Sequence, residues 1–139
     1  MRQGFELVDH TADVGVRAWA PTREGVYEET GKAVFSLICD PLTVDQTESV
    51  EIRVEAADRE LLLAAWIDEL VYQFETRRAL FVDFELTELD DTHLVARVSG
   101  EHLDPARHAV CGGVKAATLH QLTLDEGPEG WEGFVILDV

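Results

Sequence analysis

Lysine is nearly missing from this chain. Among 139 residues only Lys32 and Lys115 are lysines, and nine arginines complete the basic set against 28 Asp and Glu. The resulting net charge of −17 repels phosphate backbones, so direct binding of RNA or DNA is disfavoured. The same surface suits a basic protein partner, and serves equally for solubility or for a saline habitat. Cysteine is also scarce. Cys39 and Cys111 are too few for a disulfide framework and form no CxxC, so both are read as small core residues. No apolar run approaches the ~18 residues of a membrane span. The densest stretch, Leu61–Phe74, is interrupted by Asp68, Glu69 and Gln73. The opening "MRQGFELVDH" lacks the apolar segment of a signal peptide. Repeats, low-complexity tracts and long linkers are absent too. These absences predict a soluble, cytoplasmic protein.

What is present is enough for a core. Apolar residues make up 46% of the chain, which predicts one folded domain over residues 1–139. Phe5–Val8 reads as a short strand. Val14, Val16 and Ala18 alternate with Gly15, Arg17 and Trp19 as a second. A helix follows from Thr22, a suitable N-cap with Glu24 in the first turn, and ends near Pro41. "ESVEIRVEA" alternates as a half-buried strand. Asp58 caps a long helix whose wide apolar stripe includes Leu62, Ala65, Trp66, Leu70 and Phe74, with Arg77 and Arg78 at its negative end. Strands then alternate around "LDDTH" and "EGPEG" turns, with "EHLDPARHAVCGG" as a loop and "WEGFVILDV" as the last strand. The predicted class is α+β: a mostly antiparallel sheet of about seven strands with two main helices.

The stretch "VDHTADVGVRAWA" sets Asp9, His10 and Asp13 at the start of a strand with a buried face. Carboxylates beside a core are costly unless paired with an amide, a base or a cation. The other end of the chain poses a similar problem. Phe134, Val135, Ile136 and Leu137 are apolar on both faces, which predicts that the terminus is held in the sheet. Asp138 and the main-chain carboxylate of Val139 are then fixed close together, and two like charges held together call for a cation or for raised pKa values. Asp13 is available as a third oxygen donor. Such hard donors suit Ca²⁺, Mg²⁺ or Mn²⁺; solvated strand-end carboxylates remain the alternative. His10 is open to three readings: ligand, support to a ligand, or turn residue. The remaining histidines show no HxH or HExxH spacing, which argues against zinc. Gly112-Gly113-Val114-Lys115 lacks the spacing of a phosphate-binding P-loop, so its glycines are read as a turn and Lys115 as a local counter-charge. No Ser-His-Asp or Cys-His order stands out. A metal-dependent phosphohydrolase using Asp13, Asp138 and His10 lacks a clear general base beyond His10.

Four segments in order, "HTADVGVRAWA", "LLLAAWIDELVY", "VKAATLH" and a terminal "VILDV", closely resemble the archease family over residues 5–139. The resemblance implies an α+β sandwich with a small inserted segment. It implies a protein that activates an RtcB-type RNA ligase in tRNA splicing and RNA repair, promoting guanylylation of the ligase by GTP and its multiple turnover, without catalysing a reaction itself. It implies a bound divalent cation with ligands at Asp13, Asp138 and Val139, and a motif lysine at Lys115. It also allows a chaperone-like role toward RNA-modifying enzymes such as a tRNA methyltransferase. The chain departs from the family pattern at "VCGGVKAATLH", which is small and glycine-rich before the lysine and lacks an aromatic before the histidine.

Overall fold

Seven strands, two long helices and one short 3-10 turn appear in the computed structural model, which describes residues 2–10 and 13–139. Strands β1 (Gly4–His10) and β2 (Asp13–Ala20) pair antiparallel. Helix α1 (Arg23–Ile38) follows, started by Thr22, whose side chain accepts from the Gly25 N–H at 3.2 Å. After the 3-10 turn at Pro41–Thr43 come β3 (Glu48–Glu55) and α2 (Arg59–Arg77). The Asp58 carboxylate caps α2 by accepting from the Leu61 N–H at 2.8 Å. Arg78 ends the helix in the left-handed region at φ 53, a conformation that stops propagation. Strands β4 (Ala79–Leu89), β5 (His93–His102), β6 (Ala116–Gly127) and β7 (Gly130–Asp138) complete the chain.

The α+β class holds, and the strands divide into two antiparallel sheets. One has order β1-β2-β7-β6; the other has order β3-β5-β4. The second sheet and α2 come from one continuous stretch, Glu48–His102, inserted between α1 and β6. Both helices meet both sheets. In α1, Val26 lies under Gly133 of the first sheet, while Gly31 and Phe35 pack on Phe84 of the second. From α2, Trp66 packs edge-on against Phe84 and donates its indole N–H to the Tyr27 carbonyl at 2.8 Å. Helices in the middle layer need apolar residues around most of their circumference. That explains why Val26, Tyr27, Ala33, Val34, Leu62, Trp66, Ile67 and Leu70 are all buried.

The layering leaves one consequence for function. The four-stranded sheet turns Val16, Ala18, Ala20, Val135 and Leu137 toward the helices. Among the described residues, its opposite face carries no helix and no second sheet. One sequence expectation fails here: Cys39 is buried as foreseen, but Cys111 is exposed, because the loop carrying it crosses the surface with its N–H bonded to the Ile38 carbonyl. No helix is long and apolar enough among the described residues to cross a membrane.

Candidate functional site

Strand register builds the candidate site. Side chains alternate between faces with a period of two, so the buried even-numbered residues of β2 send its odd-numbered residues to the open face. The pairings arrange that face in rows. Gly4, Trp19, Glu132 and Asp125 form one row; Glu6, Arg17, Phe134 and Thr123 the next. Val8, Gly15, Ile136 and Thr118 form the third, and His10, Asp13, Asp138 and Ala116 the fourth. Asp13 and Asp138 are therefore direct cross-strand partners on the same face. Partners so placed have Cβ atoms about 4.5–5.5 Å apart, and like charges there destabilise the pairing.

The ends of β2 and β7 cannot swing apart to relieve that opposition. Leu137 is completely buried, and its neighbours Val135 and Ile136 nearly so, which anchors β7 up to its last residue but one. The Asp138 carbonyl accepts the Lys115 N–H at 2.7 Å, so the strand end is tied on its β6 side as well. Asp138 and Val139 are exposed, and Asp13 is half-buried. Among the described residues, Thr118 Oγ1 is the buried side-chain oxygen without a hydrogen-bond partner, one row from Asp138 on the same face. A carboxylate pair held face to face, an adjoining orphan hydroxyl and a nearby chain-end carboxylate form a hard-oxygen environment, and these residues fit a divalent cation. No three His, Cys, Asp or Glu side chains cluster as a metal site among the described residues. A cation here would have only Asp13, Asp138 and the carboxylate of Val139 as charged donors. Such a sparse set leaves coordination positions for water or phosphate oxygens, as Mg²⁺ and Mn²⁺ sites commonly do.

The other sequence candidates fall as follows. The backbone of His10 pairs with Asp13 in the fourth row, while its side chain lies outside the described residues, as do Thr11 and Ala12 of the "HTAD" motif. Lys115 stands immediately before β6, which starts at Ala116, and its N–H bonds the Asp138 carbonyl. Its side chain is exposed and enters none of the ion pairs among the described residues, so the backbone, not the ammonium, makes the recorded contact with Asp138.

Three features escape sequence reading. Asp68 of α2 accepts the Ala117 N–H at 2.9 Å, which closes the free edge of β6 beside the carboxylate pair. Its signal was the charge breaking the apolar run of α2. The second feature braces the loop that delivers Lys115. Arg107 grips Glu101 with two hydrogen bonds, at 2.7 and 3.0 Å. The buried His108 ring accepts the Asp104 N–H on Nδ1 at 2.9 Å, so its Nε2 carries the proton and faces Glu101 Oε2 and the Thr43 carbonyl, both at 3.1 Å. The Arg107 guanidinium, helped by the Asp45 N–H and by His108, pulls the Glu101 carboxyl down to about 2. Strand β6 also breaks its regular pairing: Thr118 faces Ile136 but Thr123 faces Phe134, so residues 119–122 bulge out, with Gln121 at φ 58 and Leu119 largely exposed.

Comparison with known proteins places this geometry in context. Residues 5–139 match the model of the Archease protein family (MTH1598/TM1083). Protein archease of Methanopyrus kandleri is 37% identical over 97% of this chain and 99% of its own length. Protein archease of Pyrococcus furiosus is 31% identical with both chains fully covered. The solution structure of Methanobacterium thermoautotrophicum protein 1598 superposes with a TM-score of 0.83 at 31% identity, covering 98% of this chain and 99% of that one. A crystal structure from Thermotoga maritima, described as an archease and possible chaperone, shares the fold with a TM-score of 0.62 at 15% identity.

Proposed function

This chain belongs to the archease family, and on that premise we propose that it is a non-catalytic protein cofactor of an RtcB-type RNA ligase. In this reading it promotes guanylylation of the ligase by GTP and lets the ligase turn over repeatedly. The observation that carries the proposal is the direct opposition of Asp13 and Asp138 at the end of the open sheet face. Asp13, Asp138 and the Val139 carboxylate would hold a divalent cation, Mg²⁺, Mn²⁺ or Ca²⁺. When bound, that cation would supply positive charge at which the phosphate oxygens of a nucleotide in the partner's pocket complete a coordination shell.

The rest of the role belongs to the chain's own residues. The anchoring of β7 by Val135, Ile136 and Leu137 keeps the two carboxylates in register before any partner arrives. That rigidity lowers the ordering cost of docking. The bond from the Lys115 N–H to the Asp138 carbonyl keeps the entrance of β6 at the same end, where the exposed lysine flanks the acidic pair. The −17 surface keeps the RNA substrate with the ligase and favours a basic docking face on the partner.

Ligation measured with catalytic amounts of ligase tests the reading. The wild-type chain is expected to raise turnover, and Asp13→Ala and Asp138→Ala to lose most of the stimulation. Equal stimulation by both variants contradicts the metal-site role. The chaperone-like alternative predicts a broad exposed apolar patch. The large exposed apolar residues among the described residues are Leu7, Leu42, Tyr72, Val110, Leu119 and Val139. Suppression of light scattering by an aggregating tRNA methyltransferase, retained in Asp138→Ala, would support the alternative.

A further inference from the structure

The open sheet face has a second end. At the Trp19 row it deepens into a groove of about 740 Å³, three rows away from the carboxylate pair. Six residues of strand separate Asp13 from Trp19, or about 20 Å, so the groove is spatially distinct from the candidate cation site.

Its floor is aromatic. Trp19 lies over Gly4, and Phe134 lies over Gly15; a Cβ at either glycine would come within 3.2 Å or 2.9 Å of the ring. The absent side chains let both rings pack close against the strands, where each stays half-buried. The β6–β7 turn, with Pro128 at its tip, forms a wall. The rim is acidic. Glu6 and Glu132 are both spent on Arg17, at 2.9 and 3.1 Å. Asp125, Glu126 and Glu129 also line the groove and enter none of the ion pairs among the described residues. Arg2 is the other basic residue lining it.

The molecule already shows what such a surface binds. The Arg17 guanidinium sits 5.3 Å from the centre of the Phe134 ring while pairing with two carboxylates. Arg23 and Arg59 sit 5.6 and 5.3 Å from the centre of the Trp131 ring. Arginine over an aromatic ring, flanked by acids, is thus used repeatedly inside this chain. Trp19, with Asp125, Glu126 and Glu129 nearby, offers the same combination to a guanidinium from outside.

We propose that this groove is a docking site for an arginine-bearing extended segment of a protein partner, with a guanidinium stacked on Trp19 and paired with the turn carboxylates. The volume accommodates a few side chains rather than a folded domain. Acidic peptides and nucleic acids are repelled by the same rim.

The test uses the whole chain, an isotope-labelled sample in 150 mM NaCl, and the capped peptide acetyl-(Gly-Arg)₃-amide as probe. The indole N–H signals of the three tryptophans report the outcome. Trp19 is expected to shift and saturate, while buried Trp66, bonded to Tyr27, stays in place. Trp19→Ala should weaken binding at least tenfold, and Glu126→Gln with Glu129→Gln several-fold. Asp13→Asn should leave affinity unchanged, so the result does not depend on the ligase-cofactor reading. Should Trp19→Ala fail to fold, the double Gln variant and the wild-type signal map still decide. Shifts spread over every acidic face with equal binding by the variants, or no saturable shift, overturn the proposal. So does a stronger Trp19 response to a single-stranded oligonucleotide than to the peptide.

Discussion

Asp13→Asn is expected to stabilise the cation-free protein and to destroy its response to divalent cations. The wild-type pair is held in direct register, with β7 anchored by buried residues on one side and tied to Lys115 on the other. Two charges about 5 Å apart near a wet surface repel by roughly 0.8 kcal/mol at the dielectric constant of water, and more where the site is half-buried. Screening at physiological salt removes part of this. Favourable cross-strand pairs contribute about 0.2–1 kcal/mol, and a like-charge pair opposes the pairing on a similar scale. Neutralising Asp13 should therefore raise the melting temperature in EDTA by about 1–4 °C for a chain of this size. Adding Mg²⁺ or Ca²⁺ at about 100 times the dissociation constant should stabilise the wild type by about 2.7 kcal/mol, or roughly 5–10 °C. Asp13→Asn should gain a small fraction of that. Differential scanning calorimetry in EDTA and in a divalent-cation series reads both effects. A wild type indifferent to divalent cations, or an Asp13→Asn variant that melts lower than wild type in EDTA, would refute the reasoning.

Three further outcomes follow from the same structure. Glu101 carries a carboxyl lowered from 4.5 to about 2 by Arg107, so its contribution is complete above 4.5 and fades as pH falls toward 2; Glu101→Gln should flatten the denaturant midpoint over that window. Gly100 has the Leu80 carbonyl where a Cβ would sit, so Gly100→Ala forces two paired strands apart and should cost about 3 kcal/mol or more by urea unfolding. Asp68→Ala removes the acceptor for the Ala117 N–H at the edge of β6; a loss of about 1 kcal/mol and faster amide exchange at Ala117 are expected.

The parts legible in sequence were those with local signals. Thr22 and Asp58 announced their helices because a cap acts within three residues. The "LDDTH" turn announced itself because Asp90 accepts from the N–H groups of Thr92 and His93 nearby. The interior place of the last strand was legible too, since a terminal strand apolar on both faces belongs inside a sheet, and β7 does lie between β2 and β6; that Asp13 is the residue opposite Asp138 followed only from the family resemblance. Division into two sheets was not legible, because alternation names a strand's faces but not its neighbours. The Leu119–Leu122 bulge hid inside a run that alternates convincingly, since only the partner strand reveals that four residues face one. The Glu101, Arg107 and His108 brace reaches Thr43 and Asp45, more than fifty residues away, and no spacing rule connects those positions.

Anomalous diffraction from crystals grown with Mn²⁺ tests the central claim most directly. The account predicts a peak bonded to carboxylate oxygens of Asp13 and Asp138 and to the carboxylate of Val139, lost in Asp138→Asn. A wild-type map with water between carboxylates turned away from each other, or with Mn²⁺ bound only elsewhere, would contradict it.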